Sequence, residues 1–194
     1  MMPMRRLISS TAMALVLMAG ALLPPLAPAA ERAKREMQIH KVAELGLEIW
    51  VENEPPWDAE LMRAVTLPSF VVQSPADYYP PAVMTYISLP ASAVDDASML
   101  GMATTAIRRA AENYRVTPTT RVTLKPQPAR YGELSGFEAD FEGWANGEAV
   151  DVKVFVGHQP GRFPVAMQAY TLRGKLAQLA EPTRRAWGHV KYLH

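Results

Sequence analysis

The sequence predicts an α+β fold: an antiparallel β-sheet with one long helix after the early strands, a β-meander and a short C-terminal helix. Three observations predict it. Several segments alternate apolar and polar residues with the period of a strand, one segment carries an apolar stripe with the period of a helix, and Asn146-Gly147 is typical of a tight hairpin. Strands grouped around one long helix favour α+β over α/β, in which strands and helices alternate.

Composition narrows the class of protein. The chain has 194 residues, 49% of them hydrophobic and 20% charged, which is typical of a globular protein rather than a disordered or polytopic membrane protein. Its 20 basic and 19 acidic residues give a formal net charge of +1, which argues against nucleic-acid binding. The sequence contains no cysteine, which excludes disulfides, thiol catalysis and cysteine-ligated metals.

Residues 1–29 have the features of a cleaved secretory signal peptide. Arg5 and Arg6 precede an uncharged apolar run, and small residues then match a cleavage site between Ala29 and Ala30. The alternative is an uncleaved membrane anchor, but the run is shorter than the ~20 residues of a spanning helix and ends at prolines. We therefore expect a periplasmic protein that meets the membrane only during export.

The remaining chain is expected to divide into a charged lead-in over residues 30–41, mobile or helical, and one α+β domain over residues 42–194. Alternation or short apolar runs predict strands in the domain. These strands cover residues 45–52, 70–72, 83–89, 121–125, 163–172 and 190–193, together with the two arms of the hairpin at Asn146-Gly147.

Helices are predicted where apolar residues recur every three or four positions. The long helix runs from Asp96 to Tyr114, with Asp95 or Asp96 able to cap its free N–H groups. A short helix starts around Pro182, because proline suits a first helical turn. Residues 57–64 are expected to form one or two helical turns.

The hairpin dipeptide fixes a register for the meander. A type I′ turn at Asn146-Gly147 places Phe137 opposite Val156 and Glu142 opposite Asp151. The two facing carboxylates are a candidate for calcium, and the ordinary alternative is a pair of solvated side chains.

Several features make up the layout of the domain. They are the Ser74-Pro75-Ala76-Asp77 segment, the long helix after Leu89-Pro90, the hairpin with Gly136-Phe137 and Asn146-Gly147, and the Tyr170-Thr171-Leu172 strand. This layout resembles the PsbP/Mog-type fold and, among exported bacterial envelope proteins, the DcrB-like group, over residues 70–193. The resemblance implies a non-catalytic binding or assembly module and carries over no functional residue.

Motifs of catalysis are absent from the sequence. It contains no G-x-S-x-G, H-E-x-x-H, Walker loop or G-x-G-x-x-G. The four histidines are dispersed, and His158 is expected on a solvated hairpin loop. We therefore predict no catalytic residues, no cofactor and no metal site.

An acidic segment interleaved with tryptophan is the one candidate interaction surface. Strand periodicity places Leu47, Ile49 and Val51 inward. The outward candidates are Glu48, Trp50 and Glu52, followed by Glu54 and Trp57. Carboxylates beside aromatic rings suit a basic partner or a cation; the alternatives are a solvated face with one core tryptophan, or pairing with the basic C-terminal stretch.

Three classes of function remain open. The sequence favours a non-catalytic module that binds another envelope protein. A protein that binds a small ligand or a metal cation is the alternative, and it requires polar groups that converge in an apolar pocket. A hydrolase with paired carboxylates has the least support.

Overall fold

A seven-stranded antiparallel sheet forms the centre of the molecule. The structure, a computed structural model, describes residues 37–63, 67–90 and 94–194, so the predicted signal peptide and the first part of the lead-in lie outside the described residues. In chain order the strands are β1 (Met37–Val42), β2 (Leu47–Glu52), β3 (Asp58–Arg63), β4 (Pro68–Gln73), β5 (Ala82–Ser88), β6 (Gln127–Tyr131), β7 (Leu134–Ala145), β8 (Glu148–His158), β9 (Val165–Leu172) and β10 (Lys191–Tyr192). The helices are α1 (Asp96–Asn113), α2 (Pro118–Thr123) and α3 (Ala180–Gly188).

The strands form two sheets. The large sheet has the order β3-β4-β5-β9-β8-β7-β6, and a small sheet has the order β1-β2-β10. Every pairing is antiparallel. With α1 inserted between β5 and β6 along the chain, this architecture confirms the predicted α+β class.

The core lies on both faces of the large sheet. On one face, residues of the small sheet and of α3 form a cluster with the sheet side chains Met84, Phe155 and Met167. On the other face, α1 contributes residues such as Ile107 to a second cluster, which includes Val154. Adjacent residues of β8 therefore enter opposite cores, as expected for a strand buried on both sides.

The hairpin and the long helix match their predictions. Asn146 and Gly147 both have positive φ, 51° and 87°, as a type I′ turn requires. Phe137 pairs with Val156 and Glu142 with Asp151 in the predicted register. The Asp95 carboxylate accepts a hydrogen bond from the backbone N–H of Ser98 at 2.8 Å and caps α1.

Three local predictions are wrong. Residues 37–41 of the lead-in belong to β1, which pairs along β2. Residues 58–63 form a strand instead of helical turns, because they pair along the full length of β4. Residues 121–123 end a helix instead of forming a strand, since Thr117 caps α2 and Pro118 occupies its first turn; the edge strand follows as β6.

Candidate functional site

The predicted acidic surface is mostly buried. Trp50, Glu52 and Trp57 are 7%, 6% and 5% exposed, Glu48 is half-buried, and only Glu54 is fully exposed. The solvent exposure predicted for Trp50 and Glu52 is therefore wrong. The physical reason is that β2 is the central strand of the small sheet and the C-terminal helix α3 packs against it.

Contacts around α3 account for this burial. The Trp50 indole stacks on the imidazole of His189, with ring centroids 4.6 Å apart, and donates from Nε1 to the Glu48 carboxylate at 3.0 Å. Arg185 donates to the Glu52 carboxylate from Nε at 2.8 Å and approaches it with Nη2 at 2.7 Å. The acidic residues of β2 thus make side-chain contacts with the basic C-terminal stretch, which is one of the alternatives that the sequence left open.

The carboxylate pair at Glu142 and Asp151 has partners of its own. Glu142 forms an ion pair with Arg173 at 3.2 Å. The Asp151 carboxylate accepts hydrogen bonds from the backbone N–H groups of Gly174 and Leu176. These groups compensate the repulsion of two facing carboxylates. Nowhere in residues 37–63, 67–90 and 94–194 do three histidine, aspartate or glutamate side chains converge in a way that could hold a metal ion.

His158 lies in the sheet and not on a solvated loop, so the prediction for this residue is wrong. It is the last residue of β8, pairs with Ser135 and is 2% exposed. Its Nε2 lies 3.1 Å from a carboxylate oxygen of Asp96 at the start of α1. Its position at the junction of β8 and α1 indicates a role in holding the helix on the sheet.

The site that sequence reasoning missed is a groove beside α1. The helix packs on β7 and β8, and the same face of β9, β5 and β4 forms the floor of a groove of about 850 Å³. A volume of this size lies within the usual range for ligand pockets. The groove is lined by Leu67, Ser69, Ile87, Leu89, Pro90, Gly101, Met102, Thr105, Ala106, Arg109, Ala110, Asn113, Ala166 and Gln168.

The groove continues past the C-terminal end of α1. A second hollow of about 400 Å³ shares Ile87, Asn113 and Gln168 with the first. At its far side lie Arg115 and Trp144, the latter 47% exposed. We refer to the two hollows together as the α1 groove.

The groove left a weak signal in the sequence. Met102 and Arg109 lie beside the buried stripe of α1 and not on it, so their side chains are available to line a groove. Gln168 and Thr85 are polar residues that face each other within two mostly apolar strands. The strands that α1 covers depend on the order of the strands in the sheet, and local sequence periodicity does not reveal that order.

Comparisons with known proteins bear on the fold. No protein-family model and no curated protein matches the chain. Among solved structures, the chain is similar to a protein of Bacteroides thetaiotaomicron, with a TM-score of 0.54 and 9% identity over 82% of this chain and 49% of the other. The chain thus spans about half of that protein, and the likeness shows the fold alone.

A second solved structure has a lower similarity. LpqN, involved in cell envelope biogenesis of Mycobacterium tuberculosis, matches with a TM-score of 0.44 and 17% identity over 88% of this chain and 100% of LpqN. Neither comparison tests the resemblance to the PsbP/Mog-type fold or to DcrB-like proteins, which stays a prediction. In the part of the chain that the structure describes, no helix is both long and apolar enough to cross a membrane.

Proposed function

We propose that the protein is a non-catalytic binding protein of the bacterial envelope, and that it holds a small molecule with an apolar part in the α1 groove. The envelope location is supported by the signal-peptide features of residues 1–29 and by the layout that resembles DcrB-like proteins. The binding role is supported by the groove itself.

The observation that carries the proposal is the chemistry of the groove lining. Apolar side chains such as Ile87, Leu89 and Met102 lie together with the polar groups of Arg109 and Gln168 in one concave site. Small-molecule sites have this composition, in which apolar walls supply affinity and a few polar groups fix the orientation of the ligand. Among the residues that the structure describes, no aspartate or glutamate lines the groove.

Two neighbouring threonines of α1 allow a matched test. Thr105 lines the groove and Thr104 does not. Both hydroxyls donate to the backbone carbonyl four residues earlier, and they differ in that Thr104 is half-buried whereas Thr105 is exposed. Thr105→Trp fills part of the groove, whereas Thr104→Trp places the same side chain outside it.

We expect the neutral apolar dye Nile red to bind the wild-type protein and Thr104→Trp alike. Thr105→Trp should weaken binding at least ~10-fold, which corresponds to about 1.4 kcal/mol. Circular dichroism and thermal unfolding check that both variants fold. Equal binding by the two variants, or no binding by the wild type, would refute the proposed site.

A protein partner in the envelope is the second candidate, and one observation favours it. Tyr79 and Trp144 are 66% and 47% exposed, and the cations Lys175 and Arg173 lie over their rings at 5.6 and 5.8 Å. Exposed aromatic residues beside cations are typical of protein interfaces. Loss of a partner captured from periplasmic extract on Tyr79→Ser, with retention on Thr105→Trp, would support this role, because Tyr79 lies outside the lining of the α1 groove.

A further inference from the structure

The α1 groove changes from apolar to polar along its length, and three elements change in the same direction. On α1 the lining runs from Met102 through Arg109 to Asn113. On β5 it runs from Leu89, just past the strand end, through Ile87 to Thr85.

The third element, β9, follows the same order. Ala166 pairs with Ile87, and Gln168 pairs with Thr85. Beyond them Tyr170 packs against Tyr114, the residue that follows α1, with ring centroids 5.6 Å apart. The C-terminal end of the helix therefore lies at the polar end of the two strands, and the gradients on all three elements coincide.

The polar end carries a positive charge. Arg109 lines the main groove, and Arg115 lines its extension. Within residues 37–63, 67–90 and 94–194, no aspartate or glutamate lines either hollow. Among the described residues, Arg109 has no ion-pair or hydrogen-bond partner, in contrast to Arg108, which donates to the backbone carbonyl of Val122 at 3.1 Å.

A guanidinium with free donors binds a carboxylate or a phosphate through paired hydrogen bonds. The amides of Asn113 and Gln168 also line the groove and can donate hydrogen bonds to a carboxylate or phosphate. The apolar end has the opposite chemistry, since Leu67, Leu89 and Met102 offer only hydrocarbon and thioether surface.

We infer that the ligand of the α1 groove is a single-chain amphiphile with an anionic head, whose carboxylate or phosphate binds Arg109 while its hydrocarbon tail lies along Ile87, Leu89 and Met102. This inference rests on the proposed function of the groove. It adds the charge of the ligand and its orientation, with the tail toward the start of α1 and the head toward its end.

The test compares four amphiphiles that share a dodecyl chain: dodecanoate, dodecyl phosphate, dodecyl maltoside and dodecyltrimethylammonium. Each displaces Nile red from the full mature chain, below its critical micelle concentration. We expect the two anions to bind at least ~10-fold more tightly than the neutral and cationic compounds, and the ratio between the two anions identifies the preferred head.

Variants of two adjacent arginines then locate the head. Arg109→Gln should weaken binding of the anions at least ~10-fold and leave dodecyl maltoside unchanged. Arg109→Lys should give an intermediate affinity, because it keeps the charge but not the paired hydrogen bonds. Arg108→Gln removes the same charge one position away, outside the lining, and should leave all four affinities unchanged.

Each outcome separates the inference from the function on which it rests. Equal binding of the four amphiphiles would overturn the anionic head and leave the groove as an apolar binding site. Equal effects of Arg109→Gln and Arg108→Gln would overturn the assigned contact, because they would show only the effect of net charge. Failure of Nile red and of all four amphiphiles to bind would overturn the proposed function and the inference together.

Discussion

Replacing Glu52 by glutamine should destabilise the fold strongly, although the substitution removes little more than a charge. The Glu52 side chain is 6% exposed, and the guanidinium of Arg185 approaches the carboxylate at 2.7 and 2.8 Å. Removing one partner of a buried ion pair costs about 3–5 kcal/mol. Glutamine keeps an acceptor oxygen, and the Arg185 side chain is 33% exposed, so water can solvate part of its charge. We therefore expect a loss of about 2–3 kcal/mol in the free energy of unfolding, somewhat below that range.

Glu48→Gln is the matched control, because it makes the same change on the same side of the same strand. Glu48 accepts a hydrogen bond from the Trp50 indole at 3.0 Å, and a glutamine oxygen can accept it as well, so the expected loss is below about 1 kcal/mol. Urea denaturation followed by tryptophan fluorescence measures both variants. Equal losses for Glu48→Gln and Glu52→Gln would refute the reasoning, because they would show that the buried pair contributes no more than a surface hydrogen bond.

Two further predictions concern the backbone and the pH dependence of stability. An added Cβ meets open space at both Gly147 and Gly101, so backbone conformation alone decides the effect of alanine. Gly147→Ala, at φ +87°, should lower the free energy of unfolding by about 1 kcal/mol, whereas Gly101→Ala, within α1, should raise it by about 0.5–1 kcal/mol. Urea denaturation measures both variants. Losses of equal size at the two positions would contradict this. Burial lowers the pKa of His40 below its ordinary value of about 6.5. As the pH falls, the unfolded chain therefore takes up the proton before the folded chain does. The free energy of unfolding should decrease between about pH 7.5 and about pH 5.5. His40→Gln should show a smaller decrease, and an unchanged pH dependence would contradict the prediction.

The parts of the fold that could be predicted are those in which local chemistry and tertiary packing agree. Asn146-Gly147 selects a two-residue turn, and the alternation of its arms selects the same register, so two independent patterns fix one hairpin. The helix α1 was predictable for the same reason, since the cap at Asp95 and the apolar stripe begin together. Where two signals coincide, few alternative structures satisfy both.

Most of the remaining errors arise where a distant segment decides the outcome. The alternation in β2 predicts one buried face correctly, but α3 covers the other face and buries Trp50 and Glu52. Residues 58–63 form a strand because β4 supplies the pairing partner, not because of their own pattern. The cap of α2 at Thr117 was a local signal, and the strand expectation for residues 121–125 overlooked it.

The α1 groove follows from the same kind of long-range geometry. Neighbouring strands lie ~4.8 Å apart, so seven strands span roughly 29 Å, whereas one helix with its side chains is ~10 Å wide and covers two or three of them. On the opposite face the small sheet and α3 complete the cover, but on the α1 side the described residues supply one long helix, which lies on β7 and β8. A sheet face exposed only to water would gain stability from polar residues, and Thr85 and Gln168 meet that expectation at one end. At the other end, Ile87 on the sheet is apolar and only partly buried, as are Leu89 just past the strand and Met102 on the helix. Such surface would be better buried. A lining that is apolar at one end and polar at the other is thus poorly explained by folding alone, and an amphiphile with its tail at Leu89 and its head at Arg109 would account for both ends at once.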